Sequence, residues 1–351
     1  MLYIQNSKIE VDEKAWCGPQ GELLALIQPT VADPISIRKD LQGMWRYLPF
    51  LPLKREENIV SMGEGMTPLI SLQHAGKKLY AKLEFLFPSG SFKDRGASFL
   101  MSKLKELGID EIVEDSSGNA GSAMAAYAAI AGIKCHIVVP NNCDEAKIRQ
   151  MQQYGAQIIQ VAGNRQMASD KARELAARFY HAGHAINPWF FMGTMTFAFE
   201  IWEQNAIPEE IIFPTGNGTL ILGAYLGFKL LKEKGLISEL PRLSIAQSDA
   251  CAPLFYRFKK MEFPGSTQGL AKGILVENPV RAEEILEAVR LSNGHIYTCT
   301  EKEILDAGLS LAQKGLYVEY SSAAAYAVLH QSKTEHILIP LTGSGLKNNP
   351  L

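Results

Sequence analysis

The sequence predicts an α/β fold with two domains, and three observations support this prediction. Short β-branched runs alternate with longer helical stretches after about residue 78. Glycines follow several of the helical stretches, where helix C-caps are expected. The chain has 351 residues, 47% of them hydrophobic, which is enough for a large buried core. Such alternation predicts open, twisted, mainly parallel sheets with helices on both faces.

Each predicted element has its own signature. The apolar, mostly β-branched runs that predict strands are residues 79–83, 109–113, 135–139, 157–161, 210–213, 243–246 and 336–340. The longer stretches that predict helices are residues 92–107, 120–131, 144–154, 167–181, 193–204, 220–234, 281–291 and 304–314. The glycines expected at helix C-termini are Gly108, Gly132, Gly155 and Gly235.

The chain before these elements has a different character. Its first sixty or so residues consist of short extended pieces with several prolines and the run Trp45-Arg46-Tyr47. We expect an N-terminal arm over residues 1–78 that packs on the large domain. A small α/β domain is expected over residues 79–186 and a large α/β domain over residues 187–351.

Composition excludes several classes of partner. The net charge of −2 gives no electrostatic case for nucleic acid or an anionic membrane. The longest apolar runs are too short or too rich in glycine and alanine to span a bilayer, and the N-terminus lacks a signal-peptide pattern. The five cysteines are scattered and never in Cys-x-x-Cys spacing, which predicts reduced thiols, a cytoplasmic location and no zinc site.

One lysine has an unusual sequence environment. Lys93 lies within the segment Ser-Gly-Ser-Phe-Lys-Asp-Arg-Gly, residues 89–96. In a partly dry pocket the pKa of a lysine falls, and its amine becomes a nucleophile toward carbonyls, as a Schiff-base lysine requires. The alternative is an ordinary helix N-terminus, with Ser91 as the N-cap and Asp94 in the first turn.

Two further loops lie at predicted carboxyl ends of strands, where ligands of open α/β sheets bind. Residues 115–122 place Ser116, Ser117 and Asn119 before an alanine-rich helix, an anion site suited to a carboxylate. Simple N-capping by Ser117 or Asn119 is the alternative there. In residues 214–219, glycines before a helix suit a phosphate. A dinucleotide loop is excluded because its third glycine would fall at Ile221.

The last loop follows the final predicted strand. Thr342 and Ser344 lie between glycines and offer neutral hydrogen bonds at a strand end. A disordered tail is the alternative, although a tail seldom follows a buried strand with such closely spaced glycines. His181 and His184 are three residues apart without a third ligand nearby in the sequence, so we expect a role at a helix end and no metal.

Together these motifs resemble the fold-type II pyridoxal-phosphate enzymes, the tryptophan synthase β-subunit superfamily, and most of all its threonine synthases. The likeness runs from about residue 45 to the C-terminus. The motifs that carry it are GEGMTPL at 63–69, SGSFKDRG at 89–96, SSGNAGSA at 116–123, KIRQMQQYGA at 147–156, PTGNGT at 214–219, GLYVEYSSAAA at 315–325 and TGSGLK at 342–347.

The resemblance implies pyridoxal 5′-phosphate as cofactor and a role for each matching residue. Lys93 would be the Schiff-base lysine and the general acid and base. Asn119 would bind the ring hydroxyl, and Thr342 would face the pyridine nitrogen. The residues implied to hold the cofactor phosphate are Gly216, Asn217, Gly218 and Thr219. The residues implied to lie along the substrate carboxylate are Ser116, Ser117 and Asn119.

The resemblance also implies an activity. A hydroxyl opposite the pyridine nitrogen leaves that nitrogen unprotonated, which in this superfamily accompanies elimination and replacement at the β or γ carbon. A carbon–oxygen lyase that converts O-phosphohomoserine to threonine and phosphate is the expected enzyme. Its partner would be a small-molecule amino-acid substrate, and its assembly a homodimer. A related lyase, dehydratase or β-replacement enzyme is the alternative, and a non-catalytic cofactor-binding scaffold is a hypothesis of another class.

Some residues depart from the threonine synthase pattern. Phe190 stands where the phosphate-binding Arg is expected, Met192 where a Glu is, and Met195 where a Lys is. Ala185 and Ala120 replace a serine and a threonine. Loss of the Arg removes a bidentate phosphate partner, and an aromatic and Met-rich wall suits an apolar side chain. The sequence therefore does not decide which amino acid is the substrate.

Overall fold

The computed structural model describes residues 1–29, 36–74, 76–141, 143, 145–265 and 268–347. In chain order its strands are β1 (Leu2–Tyr3), β2 (Glu10–Val11), β3 (Leu69–His74), β4 (Lys77–Lys82), β5 (Glu111–Glu114), β6 (Lys134–Pro140), β7 (Gln157–Val161), β8 (Tyr180–His181), β9 (Glu210–Pro214), β10 (Arg242–Ser248), β11 (Ile296–Cys299) and β12 (His336–Pro340). Its α-helices are α1 (Lys93–Glu106), α2 (Asn119–Ala131), α3 (Glu145–Gln153), α4 (Arg165–Leu175), α5 (Pro188–Glu203), α6 (Thr219–Glu233), α7 (Pro253–Phe258), α8 (Ala282–Leu291), α9 (Glu301–Gln313) and α10 (Tyr320–Ala327).

The chain forms two compact units, and the division differs from the expected one. The first unit contains Met1–Gly65 and Lys93–Thr196, and the second contains Met66–Phe92 and Phe197–Leu351. The N-terminal segment therefore belongs with the smaller sheet rather than with the large domain. Its side chains bond to that unit directly, since the indole of Trp45 donates to Ser98 Oγ at 3.0 Å.

The first unit is built on a parallel sheet in the order β7-β6-β5-β8. β5 lies between β6 and β8, so that Ile112 is opposite both Cys135 and Tyr180. A small core of Val113, Val138, Ala168 and Ala172 packs α4 on this sheet. The carboxyl end of β5 leads directly into the loop before α2, which places residues 115–118 at the edge where ligands of parallel sheets bind.

The second unit contains a six-stranded sheet in the order β11-β10-β9-β12-β4-β3. All neighbouring strands are parallel except β3, which runs antiparallel to β4. The central strands β9 and β12 are mostly apolar and buried, because both of their faces are covered. The predicted α/β fold with mainly parallel sheets is thus confirmed. No helix among the described residues is both long and apolar enough to cross a bilayer.

The predicted strands and helices agree best with the structure where the sequence pattern is strong. The strands predicted at 157–161 and 336–340 are confirmed, and all four predicted C-cap glycines have positive φ. The helix expected over 167–181 is wrong at its end, because α4 stops at Leu175 and Tyr180–His181 pair with β5 instead. The histidine at 181 therefore lies in a strand and not at a helix end. Asp144, the expected start of another helix, lies outside the described residues.

α5 begins five residues earlier than expected, at Pro188 instead of Gly193. Asn187 precedes the proline, and its Oδ1 accepts the backbone N–H of Trp189 at 3.1 Å. An Asn followed by Pro is a helix start signal that the sequence offered. The helix is mostly apolar and buried up to Phe199, so its position in the core rather than an amphipathic pattern stabilises it.

Candidate active site

Lys93 is the first residue of α1, in the first unit. Burial lowers the pKa of its amine to about 7, while the charge of Glu114 raises this pKa and that of Arg165 lowers it. Its Nζ lies 5.8 Å from the centre of the Phe190 ring. The Ser91 hydroxyl is buried and has no hydrogen-bond partner among the described residues, so the alternative in which Ser91 caps this helix is wrong. Near neutral pH a large share of the amine is uncharged and can attack a carbonyl.

The loop of Ser116 and Ser117 lies tightly on the first turn of α2. A Cβ at Gly121 would come within 2.0 Å of the Ser116 carbonyl oxygen, so only glycine permits this approach. Gly118 is the N-cap, and no side chain caps the helix, contrary to the simple capping by Ser117 or Asn119. Ser116 Oγ instead accepts the N–H of Gly118 at 3.3 Å. The arrangement can bind a carboxylate at a helix N-terminus.

The glycine-rich loop before α6 lies in the second unit. Gly218 has φ +70°, and a Cβ there would lie 2.4 Å from Cδ1 of Ile285. A Cβ at Gly216 would lie 3.0 Å from the Cα of Ile274. No side chain caps α6, whose N-cap is Gly218 itself. The first turn of this helix therefore has the character of an anion site.

Other helices of the same chain are capped by their own side chains. Asn164 Oδ1 accepts the N–H of Met167 at 3.2 Å at the start of α4. Thr300 and Glu303 form a reciprocal capping box at the start of α9. α2 and α6 lack such a cap, and so do α7, α8 and α10.

The loop after β12 fixes the hydroxyl of Thr342. Ser322 Oγ accepts the N–H groups of Thr342 and Gly343 at 2.9 and 3.0 Å. These two bonds use both lone pairs of the Ser322 oxygen, so its hydrogen is donated, and the nearest acceptor is Thr342 Oγ1 at 3.0 Å. The hydrogen of Thr342 is then available for a further acceptor. A hydroxyl that donates its hydrogen would suit an unprotonated pyridine nitrogen, as the resemblance implies for Thr342.

The same loop also holds the segment that precedes Lys93. Phe92 donates its N–H to the carbonyl of Thr342 at 3.0 Å, and Ser344 donates to the carbonyl of Gly90 at 2.9 Å. All four residues belong to the second unit. Pairing of the backbone on both sides of Ser91 fixes the chain direction as it reaches Lys93. The alternative of a disordered tail after β12 does not apply to residues 341–347.

The residues that depart from the threonine synthase pattern lie in the interior of the first unit. Phe190, Met192 and Met195 are fully buried on α5. The Phe190 ring lies directly over Gly96, where a Cβ would be 2.3 Å from the ring. This glycine, one turn from the start of α1, makes room for the ring beside Lys93. An aromatic wall next to the amine is consistent with an apolar side-chain pocket.

Two carboxylates of the first unit were missed in the sequence. Glu64 is only 2% exposed and accepts five hydrogen bonds. Glu114 is fully buried at the end of β5 and pairs with His184 at 2.8 Å. A charged residue at the end of an apolar strand was the available signal for Glu114. Within the described residues, no group of three or more His, Cys, Asp or Glu side chains could hold a metal ion.

Comparison with known proteins adds a family to this geometry. The family described as "Pyridoxal-phosphate dependent enzyme" matches residues 60–343. The threonine synthase of Methanocaldococcus jannaschii is 36% identical, over 97% of this chain and 90% of that protein. The threonine synthase of Halalkalibacterium halodurans is 35% identical, over 87% of this chain and 91% of that protein.

Solved structures are similar in fold. A serine racemase from Dictyostelium discoideum has a TM-score of 0.68 and 25% identity, over 81% of this chain and 93% of that one. A threonine deaminase isoform 2 from Solanum lycopersicum has a TM-score of 0.69 and 20% identity, over 91% of this chain and 95% of that one. The second likeness concerns the fold alone.

Proposed function

Because this chain belongs to the family of pyridoxal-phosphate-dependent enzymes, we propose that it catalyses elimination or replacement at the β or γ carbon of an amino acid. Its cofactor is pyridoxal 5′-phosphate. The observation that carries the proposal is the Lys93 amine, which burial leaves with a pKa of about 7 at the start of α1. Relatives named threonine synthase make O-phosphohomoserine the first substrate to test.

The residues present fit the cofactor in the details that the structure gives. Lys93 would bind the cofactor covalently, and Asn119 would hydrogen-bond its ring hydroxyl. The uncapped turn of Gly216, Asn217, Gly218 and Thr219 would hold the phosphate through backbone N–H groups. At both glycines of that turn a Cβ would meet neighbouring atoms within 3.0 Å, so the backbone conformation depends on glycine.

When bound, pyridoxal phosphate supplies an electron-accepting ring that stabilises negative charge developing on the substrate. The hydroxyl of Thr342, whose hydrogen Ser322 leaves available, would donate to the ring nitrogen. Ser116 and Ser117, together with Asn119, would orient the substrate carboxylate at the start of α2. Lys93, once free, would take the proton from the substrate and return it, as its near-neutral pKa allows.

A second candidate substrate class is an amino acid with an apolar or small side chain. The observation that favours it is the Phe190 ring, 5.8 Å from Lys93 Nζ, with Met192 and Met195 buried on the same helix. None of these three side chains carries a charge that could bind a phosphate. Arg281 is another buried arginine, and it is bonded to Glu284 at 2.9 Å.

Steady-state kinetics with O-phosphohomoserine and with a panel of small and apolar amino acids tests both classes. A missing charge-assisted contact costs about 1.5–3 kcal/mol, or on the order of ten- to a hundredfold in kcat/KM. We expect O-phosphohomoserine to be the poorer substrate by this factor. Fast formation of threonine would contradict the apolar pocket. It would mean that another basic residue binds the substrate phosphate, and exposed Lys272 would be the first residue to substitute in a test of this role.

If the protein binds the cofactor but converts no substrate of either class, the result would support the non-catalytic scaffold instead. The Lys93→Ala variant provides the baseline, since it should bind the cofactor loosely and turn nothing over. A homodimer and a cytoplasmic location stay predictions, and sedimentation of the purified chain measures the first of them.

A further inference from the structure

The first turn of α10, in the second unit, carries two adjacent buried serines. Ser321 is 6% exposed, and Ser322 is fully buried. Their hydroxyl oxygens accept backbone N–H groups from two other segments of the same unit. One of these segments carries Thr342, and the other packs on the glycine-rich turn before α6. One helix turn is therefore bonded to both of these parts of the second unit.

Ser322 fixes the loop that carries Thr342. The serine oxygen accepts the N–H groups of Thr342 and Gly343 at 2.9 and 3.0 Å, and these two bonds occupy both of its lone pairs. Two acceptors lie within reach of the serine hydrogen, Thr342 Oγ1 at 3.0 Å and the Gly343 carbonyl at 3.4 Å. Whichever of them receives it, Ser322 cannot accept the hydrogen of the Thr342 hydroxyl. That hydrogen is left for an acceptor outside this pair of residues.

Ser321 fixes the segment that packs on Gly216. Its oxygen accepts the N–H of Gly273 at 2.9 Å. A Cβ at Gly216 would lie 3.3 Å from the carbonyl oxygen of Gly273 and 3.0 Å from the Cα of Ile274. The backbone of this segment therefore lies directly against the backbone of the glycine-rich turn. A bond that holds Gly273 in place also limits how far Gly216 can move, because close-packed neighbours shift together.

We propose that Ser321 and Ser322 are positioning residues for the two ends of the cofactor. Ser322 orients the hydroxyl of Thr342 toward the ring nitrogen, and Ser321 braces the turn that binds the phosphate. Both ends are held before the cofactor arrives, so less conformational freedom is lost when it binds. This inference rests on the proposed function, because it takes Thr342 and residues 216–219 as parts of the cofactor site.

The NMR resonance of the ring nitrogen, in isotope-labelled pyridoxal phosphate bound to the full chain, tests the role of Ser322. Thr342→Val removes the hydroxyl and shows where the resonance lies without a donor. In Ser322→Ala the Thr342 hydroxyl loses the bonds that orient it. We therefore expect the resonance to move from the wild-type position toward that of Thr342→Val. A wild-type resonance in Ser322→Ala would overturn this role.

A second variant covers the case in which Ser322→Ala does not fold. Ser322→Cys keeps a side chain of similar shape, but sulfur is a weak acceptor for the two N–H groups. Its resonance should move in the same direction as that of Ser322→Ala. An unchanged resonance would contradict the role of Ser322 in this variant too.

The ratio of the affinities for pyridoxal phosphate and for pyridoxal, which lacks the phosphate, tests the role of Ser321. Ser321→Ala leaves the N–H of Gly273 without this acceptor. The net contribution of one hydrogen bond corresponds to about two- to tenfold in an equilibrium constant, and we expect the ratio to fall by this factor. If both affinities fell equally, the ratio would stay constant, and Ser321 would have no specific effect on the phosphate turn.

Each of the two alanine variants is the matched control for the other. Ser321→Ala should keep the wild-type resonance of the ring nitrogen, and Ser322→Ala should keep the wild-type affinity ratio. Equal effects of both variants on both measurements would overturn the proposal and make the turn of α10 purely structural. Failure of the proposed function is distinguishable, because the wild type itself would then not bind pyridoxal phosphate, or borohydride reduction would not label Lys93.

Discussion

Glu64 lies in the short loop before β3 and is surrounded by hydrogen-bond donors from the first unit. The indole of Trp45 and the hydroxyls of Ser61 and Ser98 donate to Oε1 at 2.9, 3.0 and 2.6 Å. The backbone of Met62 and the hydroxyl of Tyr127 donate to Oε2 at 2.7 and 2.9 Å. One carboxylate thus joins the N-terminal segment to α1 and α2.

Glu64→Gln tests this role of the carboxylate. The amide keeps the size of the side chain but places N–H donors against donors, and it removes charge-assisted bonds. Each such bond contributes about 1.5–3 kcal/mol, so we expect a loss of at least that much in the free energy of unfolding. The midpoint of urea unfolding measures it.

Glu56→Gln is the control for that experiment. Glu56 pairs with Arg38 at 3.1 Å, but its side chain is 47% exposed. A surface pair of this kind contributes about 0–1 kcal/mol. If both variants unfolded at the same urea concentration, the buried carboxylate would not be what joins these elements.

At the scale of elements, the glycine at the start of α6 offers a direct test of the phosphate site. A valine at position 218 would need a positive φ and would bring its Cβ within 2.4 Å of Ile285. The first turn of α6 must then shift. We expect the affinity for pyridoxal phosphate to fall by about tenfold or more, which corresponds to about 1.4 kcal/mol. Equilibrium titration of the cofactor absorbance measures this change.

The other end of the same helix provides the control. Gly235 follows α6 with φ +68°, close to the +70° of Gly218, and a Cβ there would meet no atom within 4 Å. Gly235→Ala also places a side chain at a positive φ, but it does not displace the first turn of α6. Cofactor affinity should therefore stay at the wild-type value. An equal loss of affinity in both variants would mean that general destabilisation, and not the turn, is responsible.

The sequence predicted parallel strands and the loops at their carboxyl ends because both depend on local patterns. Runs such as Gln157–Val161 are apolar and β-branched, and glycines mark the turns. It missed the two-residue β8, which exists only because β5 lies beside it. Long-range pairing of this kind has no local signature, and tertiary contacts override weak propensities.

The candidate site shows the same limit. Lys93, Thr342 and the glycine loop stand out through unusual neighbours, so they could be singled out from the sequence. The pairing of Glu114 with His184 joins residues seventy positions apart. A lone carboxylate and a lone histidine carry no sign of each other in one sequence, and only the fold of the first unit brings them together.

At the scale of the whole molecule, the chain passes between its two units three times, after residues 65, 92 and 196. Lys93 is the first residue after the second of these passages, and the backbone just before it is paired with the loop of Thr342. The family match over residues 60–343 includes parts of both units. The central claim is that this one lysine, among all the lysines of the chain, binds the cofactor.

Borohydride reduction of the cofactor-loaded chain, followed by peptide mapping, tests that claim most directly. Reduction converts the bond between the cofactor and its lysine into a stable amine, so the modified residue can be identified by mass. We expect the pyridoxyl group on Lys93 and no labelled peptide in Lys93→Ala. A pyridoxyl group on another lysine, or equal labelling of the variant, would contradict it.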